Sequence, residues 1–466
     1  MRMRKWLMLI GIGALGFLWS IDLDAEQGHG VLNRYIEAGL QNNLALRQET
    51  FCLQKSLQVL KEARGMFWPS VSIEARYSRA GGGRVIEFPV GDLVNPIHRK
   101  LNQLLSAPLF PGDLVNEVIP FLRQQEHETK LRVVQPLFQP AIYYNVRIKA
   151  RLSQLQQARL DAYKRELVLD IKTAYFNYLK ALKVREALHN TRELLRENLR
   201  ISCSLFENHK VTEEVVFRSR AELSGLEQQI AEIEKNVTMA ASYFNFLLNR
   251  PLDEEIKVDH PYRDPVEEQF TLAEYQSRAL ARREEFHQLA QAIGAAGNEG
   301  KLHGAGWLPQ ISAVFDYGFQ GETYRFSGGD DFWMASLVLS WNLFRGGQDR
   351  ARELQANLEK RRLEARLMEL ENQVRLGVRE AYYGLQVAGS AVRSAEDRLH
   401  SSRAAFHIVS KKYEQGMVPQ IEYMQARSDY TNAEIKYIVA RYDFFIQAAK
   451  LERAAAAYPF NKEEIR

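Results

Sequence analysis

This sequence has few cysteines, little excess of either charge and a low mean hydropathy. Two cysteines among 466 residues, Cys52 and Cys203, are too few for a disulfide framework, and they form no CxxC motif of a metal or redox site. The 62 Lys and Arg residues nearly balance 58 Asp and Glu residues, which excludes a dedicated nucleic-acid binder because such a protein needs a clustered basic surface. A mean hydropathy of −0.35 excludes a polytopic helical membrane protein.

Catalytic motifs are lacking as well. The sequence contains no HExxH, GxSxG or Walker loop. Its ten histidines are scattered, and three of them, His287, His400 and His407, lie on segments with a helical pattern. We therefore expect a protein that is not an enzyme, with no catalytic, cofactor-binding or metal-binding residues.

The amino terminus has the pattern of a secretory signal. Arg2, Arg4 and Lys5 precede an apolar run from Trp6 to Trp19. That run is shorter than the ~20 residues of a membrane-spanning helix. We predict a signal peptide over residues 1–25, export from the cytoplasm and, because no cysteine lies near the cleavage site, no lipid at the mature amino terminus. The alternative is an anchor that is not cleaved.

The chain contains an internal duplication. Tyr77 and Tyr317 are members of a set of matches 240 positions apart, and Val211 and Val418 belong to a second set 207 positions apart. Each half has the pattern helix, strand, connection, strand, long helix, turn, helix. We predict a first repeat over residues 26–249, a linker over 250–270, a second repeat over 271–457 and a tail over 458–466.

Three segments alternate apolar and polar residues with a period of two. The first runs from Val71 to Ser78, and the others cover residues 311–320 and 333–343. A fourth, Leu131 to Phe138, is weaker because Pro136 interrupts it. Such strands with aromatic ends are typical of a membrane barrel, although an antiparallel sheet with one face on a soluble core has the same pattern. If the strands cross a membrane, four cannot close a barrel and the chain must oligomerise.

Long coiled-coil helices account for most of the remaining residues. Apolar residues from Val378 to Tyr413 are spaced alternately by three and four, which is the pattern of a coiled-coil seam. This predicts a helix of about 66 residues from Arg350 to Gln415, some 100 Å long. Return helices about half as long are predicted over residues 213–248 and 420–457.

Three motifs, taken with the duplication and the export signal, resemble a known family. They are QPLFQP at Gln135–Pro140, WNLFRGG at Trp341–Gly347 and YEQGMVPQIEYMQAR at Tyr413–Arg427. The chain resembles the outer-membrane efflux proteins of TolC type. The resemblance implies a mainly α fold with transmembrane β structure: duplicated coiled-coil helices form a periplasmic α-barrel, and each chain adds four strands to a twelve-stranded barrel shared by a homotrimer.

The resemblance also implies a function and partners. The chain is expected to be a passive exit duct surrounded by outer-membrane lipid, opened by docking to a periplasmic adaptor protein and an inner-membrane transporter. No cofactor and no nucleic acid are implied. The alternative is a periplasmic coiled-coil adaptor or a structural protein of an export complex. An adaptor would need a split lipoyl-like β domain, against which the four alternating strands argue.

The resemblance places the working end at the turns between the long and the return helices, residues 208–214 and 415–421. Adaptor docking is expected at Lys210, Val211, Thr212, Gly416, Met417, Val418 and Pro419. A pore constriction is expected at Glu422 and Gln425, and ion pairs that hold a closed state at Arg220 and Arg427. The family often has acidic rings here, but position 425 is a glutamine rather than a second acid, which argues against a double ring. The alternative is that Glu422 is a solvated glutamate at a helix end. Because the first turn lacks counterparts of Gly416 and Pro419, we expect the two turns to differ; the alternative is that both are plain hairpin turns.

The long connection after the first strand is peculiar to this chain. Residues 80–130 contain a doubled GDLVN, at Gly91–Asn95 and Gly112–Asn116. A short apolar stripe of helical spacing follows the first copy, at Ile97, Leu101, Leu104 and Leu105. We predict an ordered external loop with some helix, which either narrows the mouth of the barrel or is a surface elaboration.

Overall fold

The computed structural model describes residues 30–258 and 270–460. The predicted signal peptide lies outside the described residues, as do parts of the predicted linker and tail. In chain order the elements are α1 (Val31–Asn42), α2 (Leu44–Gly65), β1 (Ser70–Arg79), β2 (Val85–Phe88), α3 (Val90–Leu105), β3 (Glu117–Pro120), β4 (Gln125–Phe138), α4 (Pro140–Glu207), α5 (Glu213–Leu247), α6 (Leu272–Arg282), α7 (Glu284–Gly304), a 3₁₀ turn (Ala305–Trp307), β5 (Gln310–Gly321), β6 (Asp331–Ser340), α8 (Gln348–Glu414) and α9 (Gln420–Ala454).

The chain divides into two compact units. The helical unit contains the described residues 30–47, 164–258, 270–278 and 377–460, and therefore α1, α5, α9 and the carboxyl-terminal parts of α4 and α8. The sheet unit contains residues 48–163 and 279–376. It holds all the strands of the described residues, together with α3, α7 and the amino-terminal parts of α4 and α8.

The two long helices follow the predicted pattern closely. α4 has 68 residues and α8 has 67, against about 66 expected for α8. Every member of the predicted seam of α8, from Val378 to Tyr413, is buried or half-buried. The residues between seam positions are mostly exposed, as expected of helices that pack along one stripe.

The core of the helical unit is aromatic and closely packed. Tyr175 and Phe244 are fully buried, and Tyr35 meets the edge of Phe244 with 5.0 Å between ring centroids. Gly39 lets α1 approach α4, because a Cβ at this position would lie 2.3 Å from the Cδ1 of Ile171. These contacts join α1, α4 and α5 into one core.

The four principal strands form one antiparallel sheet in the order β1-β4-β5-β6. One face carries charged residues that pair across strands: the Arg132 guanidinium donates to both carboxylate oxygens of Asp316, at 2.9 and 2.8 Å, and its Nη1 lies 3.3 Å from Glu74. The other face is apolar and exposed, with Trp333 and Leu337 each 71% exposed. The backbone edges of β1 and β6 have no neighbouring strand among the described residues.

The boundaries of β4 and β6 differ from the prediction by more than one residue, and β6 begins at Asp331 rather than at residue 333. β4 begins at Gln125, so the connection after β1 ends at residue 124 rather than 130. The apolar and polar alternation of β4 is not visible at its start because a histidine, His127, lies on the apolar face. Its ring is buried and stacks on the ring of Tyr324, with 4.3 Å between the ring centroids. β6 ends at Ser340 rather than residue 343, and the Trp341 indole donates to the carbonyl of Trp307 instead.

Pro136 lies inside β4 without breaking the sheet. Its register partner is Ser312 of β5, and the register shifts directly after it. On the other side, the pairing of β4 with β1 has already ended at Val134. A proline lacks the backbone N–H of a ladder hydrogen bond, so this half-paired end of the strand accommodates it.

Cys52 and Cys203 are both free thiols. Within residues 30–258 and 270–460, no helix has the length and apolar character needed to cross a membrane.

Gly318 gives a direct test of the sheet. A Cβ at this position would lie 2.4 Å from the carbonyl oxygen of Thr129 and 2.6 Å from the Cβ of Lys130. We expect Gly318→Ala to force β4 and β5 apart and to lower stability by about 1–3 kcal/mol. Thermal unfolding followed by circular dichroism checks this. Gly329→Ala is the control, since its Cβ would meet open space and should change stability by less than about 0.5 kcal/mol. Equal transitions for the two variants would contradict the assigned register.

Candidate functional site

The turns that join the long helices to the return helices have the same pattern of backbone hydrogen bonds. The first turn (residues 208–212) connects α4 to α5, and the second turn (residues 415–419) connects α8 to α9. In the first, the N–H of Lys210 donates to the carbonyl of Leu205 at 2.8 Å; in the second, Met417 donates to Lys412 at 2.8 Å. These bonds, with the matching ones from the residue before, form a Schellman motif at the end of each long helix.

The left-handed position of this motif is occupied differently in the two turns. Gly416 has a φ of 72° and His209 a φ of 53°. Only glycine adopts such a φ without strain, so the first turn carries a steric cost that the second does not. The two turns therefore share their backbone hydrogen bonds but differ in steric cost and in side chains.

The residues predicted for docking lie on the surface of the two turns. Val211 and Val418 are half-buried, and the others are exposed. The second turn is the more apolar, because Met417 is 69% exposed and the neighbouring Ile421 is 57% exposed. An exposed Met beside an exposed Ile is an adaptable apolar contact surface.

The predicted constriction residues lie on the first two turns of α9. Glu422 and Gln425 are both exposed. The amide of Gln425 donates to the carboxylate of Asp429 at 3.1 Å. Asp429 is seven residues after Glu422 and therefore lies on the same side of the helix, so this side of α9 carries two exposed carboxylates.

Arg220 and Arg427, which lie at equivalent positions of the two repeats, have opposite environments. Arg220 is exposed and forms no ion pair with any described residue. Arg427 is 4% exposed, and its Nη2 lies 3.6 Å from Glu222 of α5. Burial lowers the pKa of the Arg427 guanidinium, and the Glu222 carboxylate opposes that shift. A buried arginine with one long ion pair is costly to retain, so this position is a candidate for a functional role.

A buried polar cluster beside the turns was not anticipated from the sequence. The hairpin network consists of Asn198 and Ser202 of α4, Ser219 of α5 and Gln420 of α9. The Gln420 amide nitrogen lies 2.6 Å from Ser219 Oγ, 3.1 Å from Ser202 Oγ and 3.2 Å from Asn198 Oδ1. Side chains from α4, α5 and α9 therefore meet in this network.

The hairpin network breaks the symmetry of the duplication. At an offset of 207, Asn198, Ser202 and Ser219 correspond to Ala405, Val409 and Ala426. Comparison of the two repeats position by position would have revealed three polar residues against three apolar ones. What the sequence could not reveal is Gln420, which reaches them from another helix.

Apolar residues pack next to the network. The buried members are Leu188, Leu195, Leu226, Ile230, Tyr423 and Met424. The rings of Tyr413 and Tyr423 stack with 4.7 Å between centroids. Burial raises the pKa of both phenols, so they remain neutral donors over the physiological range. In the part of the chain that the structure describes, no group of His, Cys, Asp and Glu side chains is arranged to hold a metal ion.

Comparison with known proteins gives the same family as the sequence motifs. The model of the family described as "Outer membrane efflux protein" matches residues 276–457. A search of curated proteins found no significant match. Members of the matched family are passive channels rather than enzymes. The predicted resemblance is confirmed, and the family match supports an efflux channel of the outer membrane.

Solved structures establish the fold over nearly the whole chain. A membrane protein from Pseudomonas aeruginosa is similar with a TM-score of 0.76 and 17% identity, over 91% of this chain and 93% of that one. The Campylobacter jejuni CmeC outer membrane channel has a TM-score of 0.73 and 16% identity, over 91% and 85%. VceC, an outer membrane protein of Vibrio cholerae, has a TM-score of 0.72 and 14% identity, over 91% and 95%. The predicted fold class, mainly α with four strands in one sheet, is confirmed.

Gln420 tests the hairpin network. Gln420→Met removes the partner of three buried polar side chains, so local opening of this region should become about 1–3 kcal/mol easier. We expect hydrogen exchange of amides near the start of α5 and α9 to accelerate by about 5- to 150-fold. The matched control is Gln425→Met, the same substitution at an exposed position five residues later. Equal exchange in the two variants would contradict a structural role for the network.

Proposed function

We propose that this chain is the passive exit duct of a tripartite efflux system, working with a periplasmic adaptor protein and an inner-membrane transporter. The observation that carries the proposal is the four-stranded sheet, which is charged on one face, apolar on the other and open at both edges. The family match at residues 276–457 supports the same conclusion.

The sheet argues for a homotrimer that shares one barrel in outer-membrane lipid. The strands of 10, 14, 12 and 10 residues are long enough to cross a bilayer, which takes ~9–11 residues for a tilted strand. Open edges are not tolerated in lipid, so β1 and β6 must pair with other strands. Three copies supply twelve strands, with the Arg132–Asp316 face towards the lumen and the Leu337 face towards lipid.

The long helices are proposed to form an α-barrel in the periplasm, with the turns at its far end. Most seam residues of α8 after Leu385 are only half-buried within one chain, which leaves apolar surface for neighbouring copies. The exposed Met417 and the half-buried Val418 offer the adaptor an apolar contact, and Lys210 offers it a charge.

The pore constriction is assigned to the start of α9. Three copies of Glu422 around a narrow opening would attract cations, and three copies of Asp429 would extend this negative region by two helical turns. Gln425, held by Asp429, lies between them. The Arg427–Glu222 pair joins α9 to α5 and is proposed to hold the closed state. Arg220 is exposed on α5 and is proposed to pair with an acid of a neighbouring subunit.

The adaptor alternative has less support. Among the described residues, the sheets are the four-stranded one and the two-stranded hairpin of β2 and β3. Neither has the split lipoyl-like arrangement that an adaptor requires. The two-faced pattern of the larger sheet has a direct explanation in a membrane barrel.

Single-channel recording in planar bilayers tests the duct and its constriction together. The purified protein should conduct ions. Glu422→Gln should lower the ratio of cation to anion permeability about twofold or more, because it removes three negative charges from the narrowest region. Glu232→Gln, at an exposed position of α5, is the control and should leave the ratio unchanged.

A result against the duct differs from a result against the constriction. Absence of conductance from the unmodified protein would contradict the duct. Conductance with the same selectivity in the Glu422→Gln and unmodified proteins would contradict only the assignment of the constriction.

A further inference from the structure

The polar side of helix α3 faces the segment that follows it in the chain, and its apolar side faces away from that segment. Two stripes of helical spacing run along it on opposite sides, because most of their members are offset by two residues, or about 200°. The inward stripe is Gly91, Asn95, His98 and Asn102, and the outward stripe is Leu93, Ile97, Leu101 and Leu104. A surface helix of a soluble domain has the opposite arrangement.

Side-chain hydrogen bonds to the segment after α3 fix this orientation. Asn102 accepts from the backbone N–H groups of Leu109 and Phe110, both at 2.9 Å, and donates to the carbonyl of Phe110 at 2.7 Å. His98 Nδ1 lies 2.6 Å from the carbonyl of Pro111. The helix cannot roll its leucines inwards without breaking these bonds.

The two copies of GDLVN, Gly91–Asn95 and Gly112–Asn116, hydrogen-bond each other, and this pair of segments is called the clasp. Asn95 of the first copy donates to the carbonyl of Leu114 and accepts from its N–H, both at 2.8 Å. Asn116 of the second copy accepts from the N–H of Asp92 at 3.1 Å and donates to its carboxylate at 2.9 Å. Gly91 allows the contact, since a Cβ there would lie 2.1 Å from the carbonyl oxygen of Leu114.

The outward stripe is left exposed by this clasp. Leu93 is 62% exposed, Ile97 58% and Leu104 79%. Leu105 beside them is 53% exposed. A rigid, internally bonded segment that presents a row of leucines to the outside has an apolar surface for which the described chain provides no cover.

The charges of α3 indicate what covers the stripe. Its cations are Arg99 and Lys100, and Lys100 flanks the leucines. Its one acid, Asp92, is held by Asn116 in the clasp. The other acids of the segment, Glu87, Asp113 and Glu117, lie outside the helix. An apolar stripe beside cations is the pattern of a helix that lies in the plane of an anionic lipid surface.

We propose that α3 lies flat on the outer surface of the bilayer, with its leucine stripe among the lipids and its cations on anionic headgroups. This inference rests on the proposed function, because it needs β1 and β4 to cross the same bilayer. The segment leaves the sheet beside β1, whose exposed Val71, Ile73 and Tyr77 belong to the lipid-facing side. Packing of the three stripes against each other is disfavoured, because it would also bring three copies of Lys100 together.

Fluorescence quenching by lipid tests the proposal. In a Cys52→Ser/Cys203→Ser background, single cysteines at Ile97, Gln103 and Leu337 carry an environment-sensitive dye. The protein is reconstituted in vesicles of phosphatidylethanolamine and phosphatidylglycerol containing brominated lipid, and in matched vesicles of phosphatidylcholine. In the anionic vesicles we expect the dye at Ile97 to be quenched as strongly as that at Leu337, and the dye at Gln103, on the flank of α3, to be quenched little.

The contribution of the α3 cations is tested with charge variants. Quenching at Ile97 should be stronger in anionic than in neutral vesicles, and Arg99→Gln/Lys100→Gln should remove that difference. Arg84→Gln, a cation of the same segment outside α3, should preserve that difference.

Three outcomes overturn the proposal in different ways. Quenching at Leu337 without quenching at Ile97 contradicts the lipid contact of α3 and leaves the barrel intact. Disulfide formation between Ile97→Cys copies within one assembly, without quenching, shows that a second copy covers the stripe. Absence of quenching at Leu337 as well contradicts the membrane barrel itself, and with it the proposed function.

Discussion

The unpaired backbone edges of one four-stranded sheet are the constraint on which the account depends. β1 and β6 have no strand beyond them in the described chain. Each backbone group left unpaired in hydrocarbon costs several kcal/mol, so a sheet of this kind can enter a membrane only as part of a closed barrel. The charged pairs around Arg132 on one face and the exposed aromatic and aliphatic residues on the other fit a barrel wall between water and lipid.

Periodic features of the fold were predictable, because each depends on residues close together in the chain. The alternation at Val71–Ser78 and the seam of α8 both identify elements that the structure contains. Prediction failed where a residue's surroundings come from elsewhere. His127 interrupts the apolar pattern of β4 because its ring is covered by Tyr324, from a connection nearly two hundred positions away. The split of the chain into a helical and a sheet unit was likewise not visible, since the long helices run through both.

At the candidate site, the positions of the turns were predictable and their interactions were not. A glycine at 416 and a proline at 419 marked the second turn, and the duplication located the first. The hairpin network joins Asn198 to Gln420, which are distant in sequence, so spacing alone could not reveal it. The same holds for α3: its leucine stripe was visible, but its outward orientation follows from the clasp between two copies of GDLVN. Both features lie where this chain departs from its own repeat symmetry.

On this proposal the chain forms a barrel only together with other copies in the outer membrane. The decisive experiment is native mass spectrometry of the detergent-extracted outer-membrane fraction, before and after heating. We expect an assembly of three chains that dissociates on heating. A monomer in the soluble periplasmic fraction would contradict it, because the edges of β1 and β6 would then be exposed to water rather than paired in a shared barrel.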